Sequence, residues 1–326
     1  FLPGAPPEFG ASMPPLFVTG DTGPAGGIVF YDKGFISDGW RYLEVSPEDV
    51  PTAPGVFEWD ASPLFAGSTL TGLGEGAVNT ARAIGELGAS YAPGVARFYT
   101  GPVVGYDDWY LPTSQELGLI HSALYVNGIG TWSLDPVYWS STEITGSDSY
   151  AYNFASAGSS ESRPQSDSYP IRAVRAFRDD DPLYAVSYHP NDVGSTGDAP
   201  LDLSFYKAGE TVLARPNTGG LALFGRLLDG WNDQPDGSGV LQVYGNDPFP
   251  MPPGFVNLYA QWYGPSGQWE FAPGVELIDD SGNGNDFVSS GDPTFQPAFD
   301  SRDAIQFNAD ANRWRADFPA GISGGD

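Results

Sequence analysis

The chain has 326 residues, room for two or three domains of ~100–150 residues each, and 40% hydrophobic residues are enough for several separate cores. Forty-one acidic against fourteen basic residues give a net charge of -27, a field that repels phosphate backbones and anionic lipid and argues against nucleic acid as a partner. With no cysteine, disulfides, thiolate metal sites and cysteine nucleophiles are excluded together, and two histidines, His121 and His189, are too few and too far apart for a histidine-based metal site.

Residues 1–18 are rich in proline and lack the charged and apolar regions of a signal peptide, so they read as a mature terminus or a linker. No apolar run approaches the ~20 residues that cross a bilayer. Next, Ile28-Val-Phe-Tyr31 predicts a strand, and Trp40-Arg-Tyr-Leu-Glu-Val45 predicts its hairpin partner. The stretch 76–87 places Val78, Ala81, Ile84 and Leu87 on one face of a first helix. Thr113 and Glu116 have the spacing of a capping box, Leu117, Ile120 and Leu124 follow on one face of a second helix, and Gly128 with Gly130 stops it. Tryptophans on either side, Trp109 and Trp139, gain a helix to pack on. Beyond Glu143 the chain alternates, with Tyr150, Tyr152 and Phe154 on one side and Ser149, Ala151 and Asn153 on the other, then passes a polar loop at 156–168. The closing strand at 171–177 sets Arg175 in phase with Ile171, Ala173 and Phe177. A guanidinium among apolar neighbours needs a carboxylate, for which Glu116 and Glu143 are the candidates.

The motifs Asp108-Trp-Tyr-Leu-Pro-Thr-x-x-Glu-Leu117, Tyr138-Trp-Ser-Ser-Thr-Glu143 and Ile171-Arg-Ala-Val-Arg-Ala-Phe177, with Gly26-Gly-Ile-Val-Phe-Tyr-Asp32 and Trp40 to Val45, resemble the C-terminal domain family of Legionella collagen-like proteins. The resemblance implies a C-type lectin-like α+β domain at 19–178. Residues 179–182 then form an acidic hinge. Beyond it, Tyr184-Ala-Val-Ser-Tyr188, Gly230-Trp-Asn232, Asp236-Gly-Ser-Gly239 and Val256-Asn-Leu-Tyr-Ala-Gln-Trp262 resemble the Listeria-Bacteroides (internalin B-type) repeat. That resemblance implies a β-grasp-like spacer at 183–263, with Trp231 and Trp262 as structural residues. From 268, Gln268-Trp-Glu-Phe271 and Ala304-Ile-Gln-Phe307 look like the opening of a laminin-G or concanavalin A-like β-sandwich, which needs well over ~100 residues to close. Continuation of the chain past 326 is the expectation. The fold class is therefore multidomain and mainly β.

Where a lectin-like fold presents its long loop lie Glu143, Asp148, Tyr150, Tyr152 and Asn153, a set suited to a sugar or peptide surface. The plainer alternative, core tyrosines with solvated turn residues, takes precedence. Asp279, Asp280 and Asn283 could offer calcium oxygen ligands, although an Asn-Gly turn explains the same stretch more simply. Asn232, Asp233 and Asp236 contain both triplets by which sugar-binding lectins hold calcium, but contiguously and inside the spacer, where a polar turn accounts for them. Asp107 and Asp108 have no identifiable acid/base partner, and Ser140-Ser141 has no base. The reading is a non-enzymatic, exported, bacterial-type surface protein that binds glycan or protein through surface loops, without cofactor and with calcium an open possibility. Two rivals are a self-assembling structural subunit of a fibre or sheath and a noncatalytic targeting region of a larger secreted hydrolase.

Overall fold

The computed structural model describes residues 16–50, 56–61, 64–134, 136–155, 157–178 and 182–263, together with three strands farther on given by their backbone. In chain order the elements are β1 (Ile28–Ser37), β2 (Trp40–Val45), β3 (Phe57–Glu58), α1 (Gly76–Leu87), α2 (Ala92–Arg97), α3 (Ser114–Ile120), β4 (Val137–Glu143), β5 (Asp148–Asn153), β6 (Ser159–Pro164), β7 (Ser168–Tyr169) and β8 (Val174–Phe177). There follow β9 (Tyr184–His189), β10 (Phe205–Tyr206), β11 (Thr211–Leu213), β12 (Leu227–Asn232), β13 (Gln242–Val243), β14 (Pro248–Pro250), β15 (Val256–Tyr263), β16 (Gln268–Phe271), β17 (Phe307–Asp310) and β18 (Arg313–Asp317). The protein is mainly β, with several sheets.

Compactness separates two units, Phe1–His189 with Pro200–Arg215 and Asn246–Leu258, and Pro190–Ala199 with Pro216–Gly245 and Tyr259–Asp326. The segment 183–263 thus contributes to both.

In the first unit β1, β2 and β8 form an antiparallel sheet with β2 in the middle, so the opening hairpin and the closing strand meet as the sequence predicts. All six residues of β2 are buried, because the strand is paired on both edges and covered on both faces. That burial takes Arg41 and Glu44 out of water along with Trp40, Tyr42, Leu43 and Val45. Arg41 answers with a two-pronged ion pair to Asp32, at 2.8 and 3.1 Å.

Helix α1 has the predicted span, ending where Gly88 adopts φ +81° and its N–H returns to the Ile84 carbonyl. Gly76 lets it start close to its neighbours, since a Cβ there would lie 2.6 Å from the Leu111 carbonyl oxygen. The capping box of α3 is complete: the Thr113 hydroxyl accepts from the Glu116 N–H at 3.1 Å, and the Glu116 carboxylate accepts from the Thr113 N–H at 2.7 Å. Leu117, Ile120 and Leu124 are fully buried, although the helix widens into a π turn at His121–Tyr125 before Gly128 and Gly130 turn left-handed. Helix α2 is an addition to the two predicted helices; Pro93 in its first turn suits a position whose N–H has no intrahelical acceptor.

Strand β6 occupies the middle of the expected polar loop at 156–168, pairing with β5 from Asp148↔Pro164 to Asn153↔Ser159. The alternation in β5 holds. Ser149 and Ala151 are buried while Tyr150 and Tyr152 are half-exposed, because the small side chains fit beneath β4, where Ala151 faces the indole-bearing Trp139. Two large apolar clusters fill the unit, one around Trp40, Leu43, Leu117, Tyr138 and Phe154 and one around Trp59, Trp109, Trp139 and Ile171. Leu183, Ala185 and Phe205 belong to the first, so β9 and β10 are packed into the same core as the opening hairpin.

In the second unit β12 pairs with β13 and, from Leu227↔Tyr263 to Asn232↔Tyr259, with the end of β15. Trp231 is buried there, and the Trp262 indole donates to the Pro190 carbonyl at 2.7 Å. Asn232, Asp233 and Asp236 lie in the turn after β12 and satisfy local groups: Asn232 accepts from the Gly239 N–H, Asp233 from the Leu241 N–H and Asp236 from the Ser238 N–H and hydroxyl. Farther on, β16, β18 and β17 make an antiparallel three-stranded sheet.

Candidate ligand-binding site

Position 175 in β8 is set opposite Glu44 in β2 by the strand register. The Arg175 guanidinium is fully buried and meets two carboxylates: Nη1 donates to Glu44 Oε1 at 2.7 Å, while Nε and Nη2 donate to Asp108 Oδ1 and Oδ2, each at 2.8 Å. The expected need for a carboxylate is met, but by Glu44 and Asp108; Glu116 and Glu143 serve other groups. Burial works against the Arg175 charge, yet Asp108 and Glu44 outweigh it and hold its pKa above the ordinary value. Burial also raises the Glu44 carboxyl, opposed by Arg175 and by the N–H groups of Ala25 and Gly27. Asp108 accepts once more, from the Leu183 N–H at 2.8 Å, so one carboxylate ties the 105–112 segment to β8 and to the chain entering β9.

Glu116 accepts from the N–H groups of Gly74 and Thr113 and from the Tyr110 hydroxyl, and complete burial pushes its pKa up to about 7. Glu143 is buried and accepts from the N–H groups of Ala66 and Ser68 and from the Gln165 amide. Its pKa is raised by burial against those donors. It holds the 66–68 loop and has no face toward a ligand. Asp148 accepts from the hydroxyls of Thr145 and Ser147 in the β4–β5 turn, and Asn153 donates to Glu161 and accepts from the Ala155 N–H. Tyr152 packs against the rings of His121 and Phe154. Tyr150 is half-exposed on the same strand. Asp148 and Asn153 stand at opposite ends of β5, about 17 Å apart at ~3.4 Å per residue, so these five residues do not converge on one small ligand. Trp139 donates to the Phe57 carbonyl at 2.7 Å and is structural. Asp279, Asp280 and Asn283 lie outside the described residues.

Convergence occurs instead beside α2. Arg97, Phe98, Tyr99, Thr100, Val104, Gly105, Tyr106 and Asp107 line a cavity of about 340 Å³. One wall is the C-terminal end of α2 and the residues that leave it; the other leads into Asp108 and the Arg175 network. The Tyr106 ring lies 4.6 Å from the Arg175 guanidinium, and the Tyr99 ring meets Trp109 edge to face at 5.2 Å. Trp109 is fully buried, and its indole N–H has no hydrogen-bond partner among the described residues. Asp107 accepts from the Tyr184 hydroxyl at 2.7 Å, and its carbonyl accepts from Arg97. Burial, together with that Asp107 bond, raises the Tyr184 pKa. Phe98 and Val104 are exposed at the mouth. The cavity therefore offers aromatic and aliphatic faces, a hydroxyl, a carboxylate and one guanidinium on a base fixed by buried ion pairs. No periodicity in the sequence marks it, because its lining is one irregular segment, 97–107, that leaves α2 without forming a further helix or strand.

Among the described residues no group of three or more His, Cys, Asp or Glu side chains could hold a metal ion, and no helix is long and apolar enough to cross a membrane. No protein-family model and no curated protein matches the chain.

Proposed function

We propose that the chain is a non-enzymatic, exported, modular surface protein in which a lectin-like domain at about 19–178 carries a binding loop for adhesion or ligand display. The observation that supports this reading is the cavity between 97–100 and 104–107, a mixed aromatic and polar depression on connecting loops held by a rigid base. Binding residues are disproportionately found on such loops, and fixed supports keep their geometry. The junction of the opening hairpin with the closing strand agrees with a lectin-like domain, whose ends meet. A β-grasp-like spacer and a laminin-G-like segment would follow it. Screening the intact chain against immobilised glycans and surface proteins tests the reading, with Phe98→Ala as the control. Binding that the substitution weakens supports it, and binding indifferent to every cavity substitution overturns it.

A second reading, a subunit of a fibre or sheath, is favoured by one observation in the second unit, where Val193, Phe224 and Val240 are exposed. Association between copies would bury these side chains, and an interface requires them to form one continuous patch. Filaments of the purified chain in electron microscopy would decide for assembly.

A further inference from the structure

We propose that the cavity at 97–107 takes an acidic saccharide, with Arg97 as the anchor for its carboxylate. This rests on the reading of that cavity as a binding site and adds the chemistry of its ligand. Arg41, Arg163, Arg172, Arg175, Arg178 and Arg215 each pair with a carboxylate. Arg97 is half-buried, yet among the described residues it reaches no carboxylate at ion-pair distance, in a chain carrying 41 acidic residues. Its Nη1 donates to the Asp107 carbonyl, and its guanidinium packs 4.4 Å from the Phe255 ring centroid and 5.6 Å from that of Phe98. Those contacts fix the plane and leave Nε and Nη2, one fork of the guanidinium, without an acceptor among the described residues. A planar pair of donors matches a carboxylate in two-pronged geometry. Burial pulls the Arg97 pKa down, and the charges of Asp107 and Asp108 oppose that shift without outweighing it.

The other lining groups favour a sugar ring over a peptide C-terminus as the bearer of that carboxylate. Asp107 uses Oδ1 for the Tyr184 hydroxyl, which leaves Oδ2 to accept from a hydroxyl. Thr100 adds a hydroxyl, and Phe98 and Val104 present apolar surface to ring C–H groups. A saccharide carries several hydroxyls that each donate and accept, and so can meet both Asp107 Oδ2 and the Thr100 hydroxyl, whereas a peptide terminus offers single N–H donors at fixed backbone spacing. The volume lies at the lower end of small-molecule sites, ~300–1,000 Å³, and so suits one or two sugar rings. The net charge of -27 opposes polyanions at long range, so isolated uronate or sialate residues are favoured over sulfated chains.

Titration of the intact chain with glucuronate, glucose, N-acetylneuraminate and triglycine, followed by ligand-observed NMR, tests this. Glucuronate or N-acetylneuraminate should bind roughly ten-fold more tightly than glucose, the scale of one charge-assisted pair. Arg97→Met keeps the aliphatic packing on Phe255 and should abolish that preference. Val104→Glu, at a position 93% exposed, adds a negative charge at the mouth and should weaken the acidic sugars by a larger factor than glucose. Equal binding of glucuronate and glucose overturns the carboxylate assignment while leaving the cavity a binding site. Tighter binding of triglycine overturns the saccharide. Absence of binding by every probe overturns both the inference and the reading on which it rests.

Discussion

Arg175 and Asp108 face each other fork to fork, two nitrogens against two oxygens at 2.8 Å, and neither side chain has any exposure to solvent. Glu44 closes the third side of the guanidinium. Two carboxylates therefore depend on one cation. Removing a single partner of such a buried set leaves uncompensated charge, a loss of roughly 3–5 kcal/mol. Arg175→Ala should lose about that much stability in urea or guanidinium unfolding. Unfolding indistinguishable from wild type would refute the account.

Gly27 controls the same cluster from the backbone side. A Cβ there would lie 2.7 Å from both Glu44 Oε2 and the Val45 carbonyl oxygen, and the backbone atom cannot give way as a side-chain tip could. Gly27→Ala should destabilise the protein by about 1–3 kcal/mol through overpacking. Melting curves of Gly27→Ala and Gly34→Ala discriminate, because at Gly34 no atom lies within 4 Å of an added Cβ and only the left-handed backbone resists.

Glu116 gives the fold a pH dependence of unusual sign for a carboxylate. Its pKa is about 7 in the folded chain against an ordinary 4.5, so between those values the folded state holds a proton that the unfolded state has released. This contribution is fully present below pH ~4.5 and is lost as the pH rises through 7, by on the order of 3 kcal/mol at ~1.4 per pKa unit. Glu143 and Glu44 shift in the same direction. Glu116→Gln should flatten the slope of stability between pH 4.5 and 7 relative to wild type. It should also destabilise at every pH, since an amide cannot accept from Gly74, Thr113 and Tyr110 together. Parallel pH profiles for the two proteins would disprove the assignment.

The turn of Asn232, Asp233 and Asp236 should be indifferent to calcium. Its side-chain oxygens accept from Gly239, Leu241 and Ser238, and a calcium site requires ~6–8 oxygens. Millimolar calcium should leave unchanged both the melting temperature of the intact chain and the amide resonances of residues 232–239. Calcium-induced shifts confined to that turn would contradict this.

Local chemistry made part of the architecture legible. The bounds of α1 and the capping box at Thr113 and Glu116 depend on residues within a few positions of one another, and the β1–β2 hairpin on alternation and its turn. That Arg175 needs a carboxylate also follows from its phase. Which carboxylate it takes depends on the β2–β8 register and on the return of Asp108 from 67 residues upstream, information carried by no short window. Strand β6 escaped notice because serine, glutamate and arginine have no preference for strands; β5 supplies the partner that overrides propensity. The ligand residues expected at 143–153 lie on two strands, Glu143 ending β4 and the others in β5, which spread them apart, whereas the irregular segment 97–107 has no periodicity by which Arg97 and Asp107 could be singled out.

The Leu183 amide bound to Asp108 has a mechanical meaning. Tension entering along the chain at Leu183 does not peel β8 from its neighbour one hydrogen bond at a time. It reaches a carboxylate already clasped by Arg175 and is passed through Glu44 into the middle strand of the sheet, so several charge-assisted bonds share the load. The arrangement works as a clasp, tying the point where the chain enters β9 to the centre of the β1–β2–β8 sheet.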